Sequence, residues 1–371
     1  MKKALLSALF VLSFSLSSAQ LIIEKIEDGD DFTFPVVQGH TPAADKINTI
    51  LRLEILGNVQ DTSIAMSTIG PSHDRPSGAY MMHLETDINT QHILSFNTDA
   101  EYCGAYCEYY IDFHSFDAQT GEKFTLRDLF TPHGYDRLSA MAREERLRML
   151  KEAINKCDQY AESLKDALTD EQDEDMRNSL LSDLEINADE REIYERCIEV
   201  IHSVHSISQF KINEEENSLS LIRERCSAHY NRGIDNVGRL YTNYTYNQLS
   251  PLLSAYGRKI LLGEENDAIA SHMEGKLFAG TIAGKYSIRL LIERLYNDHS
   301  LGGKYYYERV GQGIRISGNL EGKTLTLREY NEDSEQTGSF DLILNEDHTK
   351  ATGTWTSSAG KVLKVELSRT L

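Results

Sequence analysis

The clearest periodic signal in the chain runs from Cys107 to Phe130. From Cys107 to Asp117 the residues alternate as they do along a strand, where successive side chains point to opposite faces. On this reading Cys107, Tyr109, Ile111 and Phe113 face the core, and Tyr110, Asp112, His114 and Phe116 face away from it. Asp117 to Lys123 reads as a turn, with Gly121 where a positive φ is needed. Phe124, Leu126, Leu129 and Phe130 then return to the core.

The same two periods parse the chain on either side. Leu21 to Ile26 and Phe32 to Val37 read as strands, with Pro35 favouring a sheet edge because it lacks an N–H. Thr41 can cap a helix whose first position is Pro42. Its apolar stripe is Ala44, Ile47, Ile50, Leu51 and Ile55, and Gly57 stops it. Met81 to Leu84 and Ile93 to Asn97 add strands, which predicts an antiparallel sheet with helices on one side. Residues 135–204 are rich in Glu, Lys, Arg, Leu and Ala and nearly free of Gly and Pro, the composition of a helical insertion. Its acidic break is Asp170 to Asp175, and a second helix is expected to open at Ala188. Ser206 to Ile212 and Ser218 to Arg225 form a hairpin, Tyr241 to Tyr246 a strand, and Gln248 to Tyr256 a short helix ended by Gly257.

After a polar link at Glu264 to Asp267 the pattern changes. From Met273 glycines recur between short alternating runs, the last of them Val362 to Leu367. Evenly spaced short strands with turn signals predict an all-β meander closing into a small barrel or sandwich. The expected organisation is therefore an α+β region over 20–262 with its insertion at 135–204, and an all-β region over 273–371.

Composition changes the picture at the N-terminus. Lys2 and Lys3, the apolar run Leu5 to Leu16, and small Ser17 and Ala19 have the form of a cleavable signal over residues 1–19. No Cys follows the expected cut, so a periplasmic or secreted protein without a lipid anchor is expected, with no membrane-spanning segment. The formal net charge of −20 argues against nucleic acid as a partner and permits a cationic one.

An exported chain makes disulfides the default for Cys103, Cys107, Cys157, Cys197 and Cys226. If the insertion folds back near Met176, Cys157 and Cys197 approach and are expected to pair, leaving Cys226 for Cys103 or Cys107. Cys103 and Cys107 are spaced one residue too far apart for a CxxC metal or redox motif. His202 and His205 lie three apart on a helix but lack the glutamate of an HExxH pattern. No metal, cofactor or catalytic residue is expected. Asp112 and His114 share a strand face and form the one candidate acid–base pair, with no Ser or Cys nucleophile in a recognisable turn beside them. Tyrosine is in excess, 19 against a single Trp. Tyr serves strands and binding faces alike, so Tyr110, Asp112 and His114 are the candidate binding residues.

Three segments together resemble the RsiV-like extracellular domain family. They are Ala43-Ala44-Asp45-Lys46-Ile47-Asn48, the run Phe116-Asp117-Ala118-Gln119-Thr120-Gly121-Glu122-Lys123-Phe124-Thr125-Leu126-Arg127-Asp128-Leu129-Phe130, and Tyr244-Thr245-Tyr246-Asn247-Gln248-Leu249. The resemblance covers about Leu21 to Leu262 without the insertion. Such domains occur as the lysozyme-sensing ectodomain of an anti-sigma factor and beside peptidoglycan deacetylase domains. The resemblance implies a non-enzymatic envelope binding protein whose ligand is a peptidoglycan fragment or a lysozyme-like cationic protein. The alternative is an envelope hydrolase using Asp112 and His114.

Overall fold

The computed structural model describes residues 20–60, 78–104, 106–203 and 209–370. The expected signal and His205 lie outside them.

Two strands, β1 (Ile23–Asp28) and β2 (Phe32–Val37), form a hairpin and lead into helix α1 (Pro42–Leu51). The Thr41 hydroxyl accepts the Ala44 N–H, and Ala44, Ile47, Ile50 and Leu51 bury the apolar stripe. The Asn48 amide bonds both the N–H and the C=O of Val37, pinning α1 to the end of β2. The helix continues as a π turn, Arg52–Leu56, and ends at Gly57 with φ of 69°.

Strands β3 (Gly78–Asn89), β4 (Ile93–Cys103) and β5 (Cys107–Asp117) follow as an antiparallel meander. The sheet order is β1-β2-β3-β4-β5, and β2 meets β3 in parallel. The sheet is thus mixed where a purely antiparallel one was expected. β2 is also an interior strand in the sheet order, although at Pro35 it has a neighbour on one side alone. The β2–β3 ladder pairs only Phe32 and Thr33, so Pro35 lies beyond the reach of β3 and its missing N–H breaks no bond there.

The expected faces of β5 are inverted. Phe116 is fully buried and meets Phe96 edge-on at 6.1 Å, His114 is 8% exposed, and Tyr110 packs on the core, whereas Tyr109 is 44% exposed. Both faces of this strand carry aromatic residues, so alternation alone does not choose between them. The choice is made by α1 and the C-terminal barrel, which cover the side of Tyr110, His114 and Phe116.

The turn after β5 is as expected. The Asp117 carboxylate accepts the N–H groups of Gln119 and Thr120, and Gly121 has φ of 70°. A single turn of helix, α2 (Leu126–Leu129), is closed by a capping box between Thr125 and Asp128.

The insertion is one long helical hairpin, α3 (Pro132–Asp170) and α4 (Glu174–Ser203), reversing at Glu171–Asp173. No new helix opens at Ala188, because α4 is continuous. The expected Cys157–Cys197 disulfide is absent. Cys197 bonds Cys226, Cys103 bonds Cys107 across the end of the β4–β5 hairpin, and Cys157 is a free buried thiol. Cys157 and Cys197 share one apolar cluster, but the segment that carries Cys226 folds onto the hairpin and brings that cysteine to it. Val237 donates its N–H to the Tyr194 hydroxyl at 3.1 Å, and Asn236 bonds Glu190 at 2.8 Å.

Strands β6 (Gln209–Asn213), β7 (Ser218–Arg223) and β8 (Leu240–Thr245) make a three-stranded antiparallel sheet. Helix α5 (Tyr246–Leu249) stops early, a 3₁₀ turn with Pro251 follows, and Ser254 caps a new helix, α6 (Ala255–Leu262). Gly257 therefore lies inside a helix and does not end one. A Cβ there would sit 1.9 Å from the Leu129 carbonyl oxygen, so glycine is required by close approach to α2.

The C-terminal part is a closed antiparallel barrel of eight strands: β9 (Leu277–Ile282), β10 (Tyr286–Leu295), β11 (Ser300–Tyr307), β12 (Ile314–Glu321), β13 (Thr324–Tyr330), β14 (Gln336–Leu344), β15 (Lys350–Ser357) and β16 (Val362–Arg369). Side chains such as Tyr305, Phe340 and Leu290 fill its interior. Tyr305, Tyr306 and Tyr307, adjacent in the chain, are divided by strand alternation. Tyr305 is buried inside the barrel, Tyr307 packs against the same interior cluster, and Tyr306 joins the core of the first sheet.

The two regions are fused through buried polar contacts. Arg369 and Lys46 both bond Glu122, and Lys276 bonds Asp128 at 3.2 Å, with the Lys276 side chain fully buried. Glu264 to Asp267 are exposed as expected, but Ala270, only three residues on, is buried. Among the described residues no helix is long and apolar enough to cross a membrane.

Candidate functional site

The segment Asp117–Asp128 supplies charged side chains to the junction of sheet and barrel, and a cleft of about 540 Å³ opens beside it. Thr98, Tyr102, Tyr110, Asp112, Phe113 and His114 line it from the sheet. Glu54 enters from the π turn, Lys123 and Arg127 from the segment around α2, and Tyr135 from α3. The barrel side contributes His272, Glu274, Glu293, Arg294, Tyr296 and Asn297. Tyr110, Asp112 and His114 are thus brought together in one cleft, although not as a solvated outer face.

Most of the charge in the cleft is internally satisfied. Lys123 Nζ lies 2.6 Å from both oxygens of Glu54, and His114 Nδ1 lies 3.6 Å from Glu54 Oε2. Burial alone would raise the Glu54 pKa, but Lys123 and His114 outweigh it and hold the carboxyl down to about 2. Lys304 bonds Glu293 at 2.8 Å and the carbonyl oxygens of Leu53 and Glu54 at 3.0 Å each. Burial pushes the pKa values of Glu293 and Glu274 up. It pushes His272 down to about 4, so that imidazole is neutral at pH 7.

Asp112 and His114 take separate partners. His114 Nε2 shares a hydrogen bond of 3.0 Å with Thr98 Oγ1, and Asp112 Oδ1 accepts the Phe113 N–H at 3.0 Å. None of the residues lining the cleft is a Ser or a Cys. His202, the described member of the other histidine pair, is exposed near the end of α4.

Several cleft residues have no sequence signal that would have found them. His272, Glu274, Glu293 and Arg294 lie more than 150 residues after β5 and meet it only because the barrel docks on the sheet. Glu54 carried one weak signal, as a lone acid on the apolar side of the first helix. The chain matches no protein-family model, and no curated protein is significantly similar to it.

Proposed function

We propose that this is a non-enzymatic, exported binding protein of the cell envelope, and that the cleft takes a peptidoglycan fragment. The observation that carries this reading is the cleft itself, a concave site lined by four tyrosines, Tyr102, Tyr110, Tyr135 and Tyr296, with fixed polar groups between them. Tyrosine offers rigid amphipathic contact at low entropic cost, which suits sugar and peptide surfaces. Burial speaks against the hydrolase reading: Thr98, His114 and Glu54 stand as hydroxyl, imidazole and carboxylate, but Thr98 and His114 are only 4% and 8% exposed, which leaves little open surface from which to act on a substrate. Two disulfides support an oxidising compartment outside the cytoplasm. The RsiV-like resemblance points the same way.

The test is a pull-down of the chain on purified peptidoglycan and, separately, on immobilised lysozyme, at low and high salt. Retention on peptidoglycan that survives salt is expected. Capture by lysozyme alone, lost at high salt, would transfer the function to the acidic surface of the molecule. Soluble sugar or peptide released from the peptidoglycan would make the protein a hydrolase.

A further inference from the structure

Among the described residues, Asp112, Arg294 and Arg127 in the cleft have no ion-pair partner. Glu54 is held by Lys123 and Glu293 by Lys304. Among the described residues Asp112 pairs with no cation, and it accepts the Phe113 N–H. Arg294 is exposed and makes no hydrogen bond or ion pair among the described residues. Glu274, the acid its charge reaches, instead accepts the Leu295 N–H at 3.2 Å. Arg127 lies 4.2 Å above the Tyr135 ring and donates to Asn297 Oδ1 at 2.6 Å, so its plane is set while it lacks a carboxylate partner.

The placement of these charges is bipolar. Arg127 on α2 donates to Asn297 in the segment just after β10, three residues beyond Arg294, and both arginines line the cleft. Asp112 stands on another wall, β5. Resting on the cleft as the ligand site, we infer that it recognises the two ends of a zwitterionic short peptide. Asp112 takes the ammonium group, and Arg294 with Arg127 takes the carboxylate. A guanidinium fork matches a carboxylate in two parallel hydrogen bonds, which gives geometric selectivity. A neutral sugar alone would desolvate these groups and leave them unpaired, which is costly. A simple anion would approach a chain of net charge −20 against its field, whereas a zwitterion carries no net charge. About 540 Å³ is room for a ligand of several residues and more than a single amino acid fills.

The experiment titrates the full chain by calorimetry at low salt with tetra-alanine bearing free termini, with its N-acetylated form and with its C-amidated form. Each cap is expected to weaken binding about tenfold or more, the scale of one lost charged hydrogen bond. Asp112→Asn should abolish the penalty of the acetyl cap, and Arg294→Gln should cut that of the amide cap, the remainder falling to Arg127. Both side chains are at least partly exposed, so both variants should fold, and the capped peptides give the readout in the unaltered chain regardless. Equal binding of all three peptides, no binding of the free peptide, or penalties that persist undiminished in both variants would overturn the inference. Soluble peptidoglycan fragments titrated alongside separate it from the wider reading. Fragment binding indifferent to both substitutions rejects the bipolar cleft and keeps the envelope ligand. Cap-dependent tetra-alanine binding without fragment binding does the reverse.

Discussion

At the scale of the residue, Gly121 shows how one position answers to two constraints. Its φ of 70° lies where a β-branched residue is strained, at a cost of about 1–3 kcal/mol. A Cβ there would also sit 2.4 Å from the Ala43 carbonyl oxygen, in the backbone of the first helix. Gly121→Val should therefore lose at least that much stability in urea denaturation, and an unchanged midpoint would refute the argument. The backbone strain was legible in the turn pattern, but the contact with Ala43 was not, since 78 residues separate the two. The faces of β5 make the complementary case. With Tyr110, Asp112 and His114 exposed, replacing all three by Ala would be nearly neutral. With His114 buried against Thr98 and Tyr110 on the core, the triple replacement should cost about 3 kcal/mol or more. Asp112→Ala alone should cost little, because its carboxylate is partly exposed and, among the described residues, accepts only its neighbour's N–H. A triple variant that melts with the parent would restore the outward assignment.

At the scale of the element, the helical hairpin was readable from composition because a charged, Gly-poor segment has few alternatives to helix. Its cross-link was not readable. Spacing placed Cys157 and Cys197 on facing helices, yet the choice of partner depends on which loop lies against them. With Cys197 bonded to Cys226 and Cys103 to Cys107, the chain should carry one free thiol. That thiol is buried, and burial raises its pKa, so alkylation of the native protein should be slow. Denaturation without reductant should expose one reactive thiol per chain, and peptide mapping should place it at Cys157. A labelled Cys226 would contradict the pairing. The split of the segment after β8 into α5 and α6 has the same character. Ser254 restarts the helix by accepting the Gly257 N–H, and its hydroxyl is held in place by donating to the Asp128 carbonyl at 2.6 Å, a partner supplied from α2.

At the scale of the whole molecule, the junction of sheet and barrel is an array of buried charges whose members must stay paired. Glu122 serves both Lys46 and Arg369, and removal of one partner from such a group strands the other in a poor solvent. Glu54 makes the junction sensitive to acid. Its folded pKa of about 2 lies below its ordinary value of 4.5, so its stabilisation is present above pH 4.5 and is lost as pH falls toward 2. The linked free energy is about 3 kcal/mol at most. Glu274 and Glu293 act in the opposite sense, since their raised pKa values disfavour the folded state once they ionise. A comparison with Glu54→Gln isolates the first effect. The stability gap between parent and variant should narrow between pH 4.5 and pH 2, and a gap independent of pH would show that Glu54 is not the group responsible.

The sequence by itself determined the classes of structure and their order. Alternation and glycine spacing specified a strand-rich N-terminal region, a helical insertion and a closing β-meander, because local periods record which side of an element meets apolar neighbours. Turn chemistry determined the Asp117–Gly121 reversal and the Thr41 cap, where the partners lie within a few residues. Tertiary structure alone decided which face of β5 is inside, which cysteines pair and that a cleft exists. Each of those depends on elements far apart in the chain meeting in space, and a period of 2 or 3.6 residues carries no information about what will lie opposite.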